Sequence, residues 1–294
     1  MSDKNFGTLL LIPAAVFLLG LAVVPVLQSF WLSLHRILLT LPGLGEAFVG
    51  LENFRRLAAD PGARGTLGFT FLFVIGTTLC EMVLGLAMAL TLNRSFRGRG
   101  WVRAAILIPW AIPTVVASQM WRFILNDQYG LANLLLFGGD AASYRAWLAD
   151  PWSARAAIMA ADIWKTSSFT ALLILAGLQT IPDELYEAAR IDGAGPWKQF
   201  RRITLPLLKP ALLVALLFRT MDAFRVFDLV FVMTQGGPAS STSVLQFYGY
   251  KRMFTEGDLG YGSAVSVVVF LIIFLISIFY IRLVGTRLFE RSET

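Results

Sequence analysis

Six stretches in which apolar residues run almost without a break alternate along the chain with segments carrying most of its polar and charged positions. They are Leu9–Leu34, Thr66–Leu92, Ala104–Leu125, Ala154–Leu178, Leu207–Met233 and Ser263–Val284. Each reaches the roughly 20 residues a helix needs to cross a bilayer. A helix also satisfies its own backbone hydrogen bonds, which lipid cannot do. Asp162 and Lys165 interrupt the fourth stretch. The first is too long for the apolar part of a signal peptide, and no small-x-small cleavage site follows it, so it is predicted to remain as a helix. The pattern predicts an all-α integral membrane protein of six transmembrane helices, a single domain over residues 1–294. Pro13, Pro25, Pro109 and Pro113 fall within spans, where a bundle tolerates proline if neighbours resatisfy the freed carbonyls.

Composition agrees with the pattern. Of 294 residues 56% are hydrophobic and 15% charged, and the mean hydropathy is +0.67. A soluble domain carries about 25% charged residues, so a water-soluble enzyme is excluded, and the apolar content excludes a disordered chain. Cys80 is the one cysteine, so no intrachain disulfide is possible. The net charge of +6 reads in a membrane protein as basic cytoplasmic loops rather than as a nucleic-acid partner. With the amino terminus inside, thirteen basic residues lie on the cytoplasmic side: Lys4; Arg94, Arg97, Arg99 and Arg103; Arg190, Lys198, Arg201, Arg202 and Lys209; and Arg282, Arg287 and Arg291. Seven lie outside, which puts both termini in the cytoplasm. No phosphate-cradling GxxxxGK[ST], no HExxH, no GxSxG and no Cys/His cluster occurs. Neither catalytic residues nor a metal or cofactor site is expected, and His35, the one histidine, reads as interfacial.

The cytoplasmic connection between the fourth and fifth spans carries the most specific signal: IPDELYEAARIDGAGPWKQFRRITLPLLKP, Ile181 to Pro210. It predicts two short helices and a bend. Pro182 suits a first helical position, and Asp183 and Glu184 load the first turn with negative charge. Leu185, Ala188 and Ala189 form a compact apolar face. Gly193 and Gly195 can take the left-handed backbone that ends a helix. Pro196 opens the second helix, and Pro206 is expected to stop it. On the residues alone, an amphipathic pair lying on the membrane and a docking site for another protein are equally good readings.

The spacing decides between them by resemblance. Glu187-Ala188-Ala189, three residues, Gly193, nine residues, then Ile203-Thr204-Leu205-Pro206 matches the EAA-x3-G-x9-I-x-LP signature of ABC importer permeases. The DELYEAARIDGAGPW wording and Thr234-Gln235-Gly236-Gly237-Pro238 resemble the sugar-importer branch, of the maltose/trehalose type, first permease subunit. The resemblance implies the type I importer transmembrane fold and a bacterial or archaeal cell membrane. It also implies that Glu187, Ala188, Ala189, Gly193, Ile203, Leu205 and Pro206 couple this chain to an ATPase. The implied partners are a second, unlike permease subunit, two ATPase subunits holding the ATP and Mg, an extracytoplasmic sugar-binding protein and membrane lipid.

Charges inside spans are costly, so each is a functional candidate. Span four holds Asp162, Lys165, Thr166, Ser167 and Ser168. Span five holds Arg219, Asp222, Arg225 and Asp228 at three-residue steps, and span two adds Glu81. The set is close to neutral, which suits either a structural ion-pair network or a neutral, hydroxyl-rich solute. By resemblance, sugar contacts come from the spans flanking the coupling loop: Asp162, Trp164, Lys165 and Thr166 in one, Arg219, Asp222, Ala223 and Val226 in the other. The expected solute is a disaccharide such as trehalose or maltose; another oligosaccharide or a glycerol-phosphate-type solute is the alternative. A secondary transporter is a further alternative, against which the coupling loop speaks, because such a protein docks no ATPase.

Overall fold

A computed structural model describes residues 3–40 and 46–289, and the side chains of residues 11–40 and 46–282. The Arg291 residue and the Lys4 and Arg287 side chains, counted above towards orientation, lie outside that set. The chain is built from helices α1 (Asp3–Leu18), α2 (Val24–Ser33), α3 (Glu52–Ala59), α4 (Pro61–Asn93), α5 (Arg99–Ala111), α6 (Thr114–Ile124), α7 (Leu131–Phe137), α8 (Pro151–Leu178), α9 (Asp183–Ile191), α10 (Pro196–Gln199), α11 (Leu205–Phe224), α12 (Asp228–Met233), α13 (Leu245–Tyr250) and α14 (Leu259–Phe289). A two-residue antiparallel pair, His35–Arg36 with Ala47–Phe48, is the one sheet among the described residues.

Among the described residues five helical segments are long and apolar enough to span a membrane: Leu11–Ser33, Pro61–Asn93, Pro151–Leu178, Pro196–Phe224 and Leu259–Arg282. The bent pair α5–α6 makes a sixth. Two expected spans are not the single straight helices their apolar runs predict. The third turns by 93° between α5 and α6. Ile112 before Pro113 is extended, with ψ 130, as the proline ring demands of the residue preceding it. The fifth ends at Phe224, nine residues short of Met233, and resumes as α12 after an irregular Arg225–Phe227. The four-charge ladder from Arg219 to Asp228 is therefore split between two helices. Pro206 does not end a helix either. A π turn, Phe200–Thr204, leads into α11 with Pro206 in its first turn, where a missing N–H is tolerated.

The chain forms two compact units. The first comprises residues 1–64 and 248–272. In it, buried Asn53 donates from Nδ2 to the Ser33 and His35 carbonyls, both at 2.9 Å, tying α3 to the end of α2. His35 stacks on Trp31 at 4.0 Å. Asp60 accepts from the Tyr248 and Tyr261 hydroxyls, the Gly62 N–H and Arg252. Burial alone would raise its pKa; the four donors outweigh burial and hold the carboxyl at about 2.

The second unit comprises residues 65–247 and 273–294. Its apolar core joins Ala89, Leu92, Ile174, Leu175, Leu178, Leu208 and Ala215 from α4, α8 and α11. Lipid supplies no hydrophobic drive between spanning helices, so close approach through small residues holds them. A Cβ at Gly177 would lie 2.3 Å from Ala211 Cβ, and one at Gly85 2.7 Å from Thr170 Cγ2. Helix α8 starts at a defined point, because the Asp150 carboxylate accepts from the Trp152 and Ser153 N–H groups at 3.0 Å.

Candidate functional site: a polar cavity beside two helix breaks and a helical loop at one end

Asp162 lies about 17 Å along α8 from Pro151 at 1.5 Å per residue, close to the middle of a helix long enough to span. Around it the second unit opens a cavity of about 460 Å³, between the α5–α6 break, α8 and the α11–α12 break. Its wall includes Asp162, Lys165, Thr166, Asp222 and Val226 of the expected path residues, with Arg225, Asp228 and Thr114 besides. The other three lie elsewhere. Trp164 packs edge-to-face on Trp121 at 6.0 Å. Ala223 is buried. Arg219 is 1% exposed and sits behind the wall.

From that position Arg219 organises the carboxylates. Its Nε and Nη2 donate to Glu81 at 2.5 and 2.9 Å, and its Nη1 donates to Asp222 Oδ2 at 2.6 Å. Asp162 Oδ2 is 3.4 Å from Nη2. Glu81 Oε1 also accepts from the Thr166 hydroxyl at 2.6 Å. Asp222 remains 67% exposed at its side chain, so it is anchored on one side and open on the other.

Lys165 does not join this ion-pair set. Its Nζ donates to the Ile112 carbonyl at 2.6 Å and the Trp110 carbonyl at 3.2 Å. Those carbonyls lose their helical partners where α5 ends, and a cation is favourable at a helix C-terminus. Lys165 thus caps the break that forms one side of the cavity. Arg225 and Asp228, candidates as charges within a span, and Thr114, which no sequence signal marks, stand on the wall because of where the helices break. Pro113 is the visible signal for one break. Residues 225–227 contain neither proline nor glycine and give no such signal.

The second feature lies beyond the far end of α8. Helix α9 carries Glu187, Ala188 and Ala189 and ends in a Schellman turn: Ala194 N–H to Ala189 carbonyl at 2.8 Å, and Gly193 N–H to Arg190 carbonyl at 3.1 Å. Gly193 takes φ +72 there, while Gly195 is an ordinary N-cap residue with φ −65. Pro182 is the cap rather than the first helical residue. The Tyr186 hydroxyl meets the Thr204 hydroxyl at 2.9 Å, and Tyr186 and Ile203 pack on the apolar core. Leu205 and Pro206 form the first turn of α11. Leu185, Ala188 and Ile191 stay exposed on α9, and Ile191 is 86% exposed. The loop is pinned from within and presents small and apolar side chains outward.

A bundle of spanning helices with a polar cavity at mid-length and an exposed helical hairpin at one end is the architecture of a membrane transport permease. The chain belongs to the family of binding-protein-dependent transport system inner membrane components, whose pattern it matches over residues 81–290. It is 41% identical over 280 residues to the trehalose/maltose transport system permease of Thermococcus litoralis, covering 95% of this chain and 94% of that one. It is also 41% identical over 289 residues to the sulfoquinovosyl glycerol transport system permease of Agrobacterium fabrum, covering 98% and 92%. In fold it matches a bacterial ABC transporter involved in import of the acidic polysaccharide alginate, with TM-score 0.82 over 97% of this chain and 96% of that one at 21% identity. The fold is that of the type I importer transmembrane domain, and family membership removes the secondary-transporter alternative.

Proposed function

We propose that this chain is one of two unlike membrane subunits of an ATP-driven importer, and that it passes a neutral sugar, a disaccharide such as trehalose or maltose. The observation that carries the reading is the cavity around Asp162 and Asp222. Its volume falls within the roughly 300–1,000 Å³ of small-molecule sites. Lys165 and Arg225 stand on its wall against Asp162, Asp222 and Asp228. Arg219 is consumed behind it. A wall with no positive surplus suits hydroxyls, which both donate and accept, better than a sulfonate or phosphate. The trehalose/maltose relative supports the same choice.

In this reading an extracytoplasmic binding protein delivers the sugar. Two ATPase subunits, which hold the ATP and Mg, dock on Glu187, Ala188, Ala189 and Gly193, with Ile203, Leu205 and Pro206 carrying the motion into α11. Both termini are cytoplasmic, and the membrane is a bacterial or archaeal cell membrane. The sulfonated or phosphorylated solute is the second reading. It is favoured by the Agrobacterium relative and by Arg225, which has no carboxylate partner among the described residues.

The test is to purify the complex, reconstitute it with its binding protein, and measure which solutes stimulate its ATPase. Trehalose or maltose is expected to stimulate. Stimulation by sulfoquinovosyl glycerol or glycerol phosphate, with both disaccharides inert, overturns the neutral-sugar reading.

A further inference from the structure

Helices α6 and α12 meet the mid-length cavity only with their first residues, Thr114 on one and Asp228 and Leu229 on the other. At their opposite ends lies a second cavity of about 390 Å³ in the same unit. Along α6 the two linings are eight residues apart, Thr114 to Arg122, or about 12 Å, and along α12 three residues apart, Leu229 to Val232, or about 4.5 Å. The second is flanked by Trp147 and Ala149, just before α8 begins, and so lies at the opposite end of that helix from the coupling loop.

Its wall holds Arg122, Asn126, Asp127, Trp147, Thr234 and Gln235. The Arg122, Asp127 and Gln235 side chains make no hydrogen bond or ion pair among the described residues. The Asn126 carboxamide oxygen accepts from the Gln128 and Tyr129 N–H groups at 2.9 and 3.1 Å, which leaves its NH2 available. Trp147 is held by its indole N–H, which donates to buried Asn133 Oδ1 at 2.9 Å.

Gln235 is placed at some cost. Its φ is +51, a conformation that strains a residue with a side chain. Its N–H is held by the Val230 carbonyl at 2.8 Å, the Gly237 N–H by the Thr234 carbonyl at 2.9 Å, and Thr234 Oγ1 by Thr242 Oγ1 at 2.8 Å. Strain that surrounding bonds over-determine is concentrated at binding and switching sites.

We propose that this cavity is an outer subsite for the same polyhydroxy solute, occupied on its way to the inner cavity. The proposal rests on the neutral-sugar reading above. Two carboxamides, one carboxylate and one guanidinium offer donors and acceptors with balanced charge, which is what vicinal hydroxyls match. The indole adds an apolar surface for the C–H face of a sugar ring. A peptide segment from a docking protein is the other occupant such a wall admits, and the experiment separates the two.

The two permease and two ATPase subunits in nanodiscs, free of nucleotide and of the binding protein, are dialysed against labelled trehalose and, separately, labelled maltose, and docking of the binding protein is measured in a separate titration. Two equivalents are expected for the transported sugar. The double variant Asp127→Ala/Gln235→Gly removes one equivalent and leaves the other. Glycine accepts φ +51 without strain, so this variant keeps the loop's backbone. Asp222→Asn removes the complementary equivalent. In uptake assays the double variant raises KM about fivefold, roughly the loss of one net hydrogen bond, with kcat unchanged. One equivalent in the native complex, indifferent to the double variant, overturns the outer subsite and leaves the inner one standing. Weakened docking of the binding protein with both equivalents retained assigns the wall to protein contact and overturns the proposal. No bound sugar and no uptake of either disaccharide overturns both this proposal and the reading it rests on.

Discussion

Arg219 and Glu81 form a two-point ion pair, Nε to Oε2 at 2.5 Å and Nη2 to Oε1 at 2.9 Å, with side chains 1% and 0% exposed. Removing one partner of a buried pair costs about 3–5 kcal/mol, because the other charge stays behind unpaired. Arg219→Met is therefore expected to lower the thermal unfolding midpoint of the purified complex sharply. Combining it with Glu81→Leu is expected to restore most of the loss, because the stranded carboxylate goes too. Additive losses in the double-mutant cycle would show that the two residues do not act as a pair.

Lys165 tests the helix break. Lys165→Met strands the Trp110 and Ile112 carbonyls, at about 1–3 kcal/mol for each group left without a partner. The α5–α6 break then loses its internal cap, so the cavity wall shifts. Uptake kinetics are expected to show a raised KM, and Lys165→Arg to recover part of it. An unchanged KM in Lys165→Met would mean that the break holds its geometry without the lysine.

At Gly193 nothing crowds an added Cβ, so alanine or asparagine there acts through φ +72 alone, whereas aspartate also puts a negative charge on the exposed turn. Gly193→Asp is expected to abolish transport, since the Schellman turn sets the angle at which α9 is presented. Alanine there costs about 1–2 kcal/mol of left-handed strain. Gly193→Asn should be milder than either, because asparagine adopts this conformation more readily. Normal uptake by Gly193→Asp would remove the coupling role from this loop.

Asp60 predicts a pH dependence. Its pKa is lowered from 3.8 to about 2, so the stabilisation it contributes is complete above about pH 5. It is lost as pH falls towards about 2, where the folded-state carboxyl takes up a proton. Burial and the bond to Asp60 push the Tyr248 hydroxyl the other way, upward. Unfolding midpoints of the native chain and of Asp60→Asn should differ by a constant amount from pH 7 to about 5 and converge below pH 4. A difference that persists at pH 2 would rule out the carboxylate as its source.

The apolar runs determined that the chain spans a membrane and roughly where, because a run of that length has no other low-energy environment. The start of α8 was legible to within three residues, and its end, Leu178, was read directly. In the loop between α8 and α11 the left-handed Gly193 and the helix opened by Pro196 were legible, since caps and turns are set by residues adjacent in sequence, while Gly195 and Pro182 take other places than their residue types suggest. Pro206 misled, because a π turn lets the helix run through it. The charged residues named themselves by being expensive in lipid, yet their order along the chain did not reveal their roles. Arg219 and Asp222 are one helix turn apart, but one is a buried anchor and the other faces the cavity. Lys165 looked like an ion-pair partner and instead caps a broken helix 53 residues away. Which way a charge points depends on where its helix breaks and what packs against it. Those are long-range contacts that hydropathy, a local average, does not contain, and only the packed helices decide them.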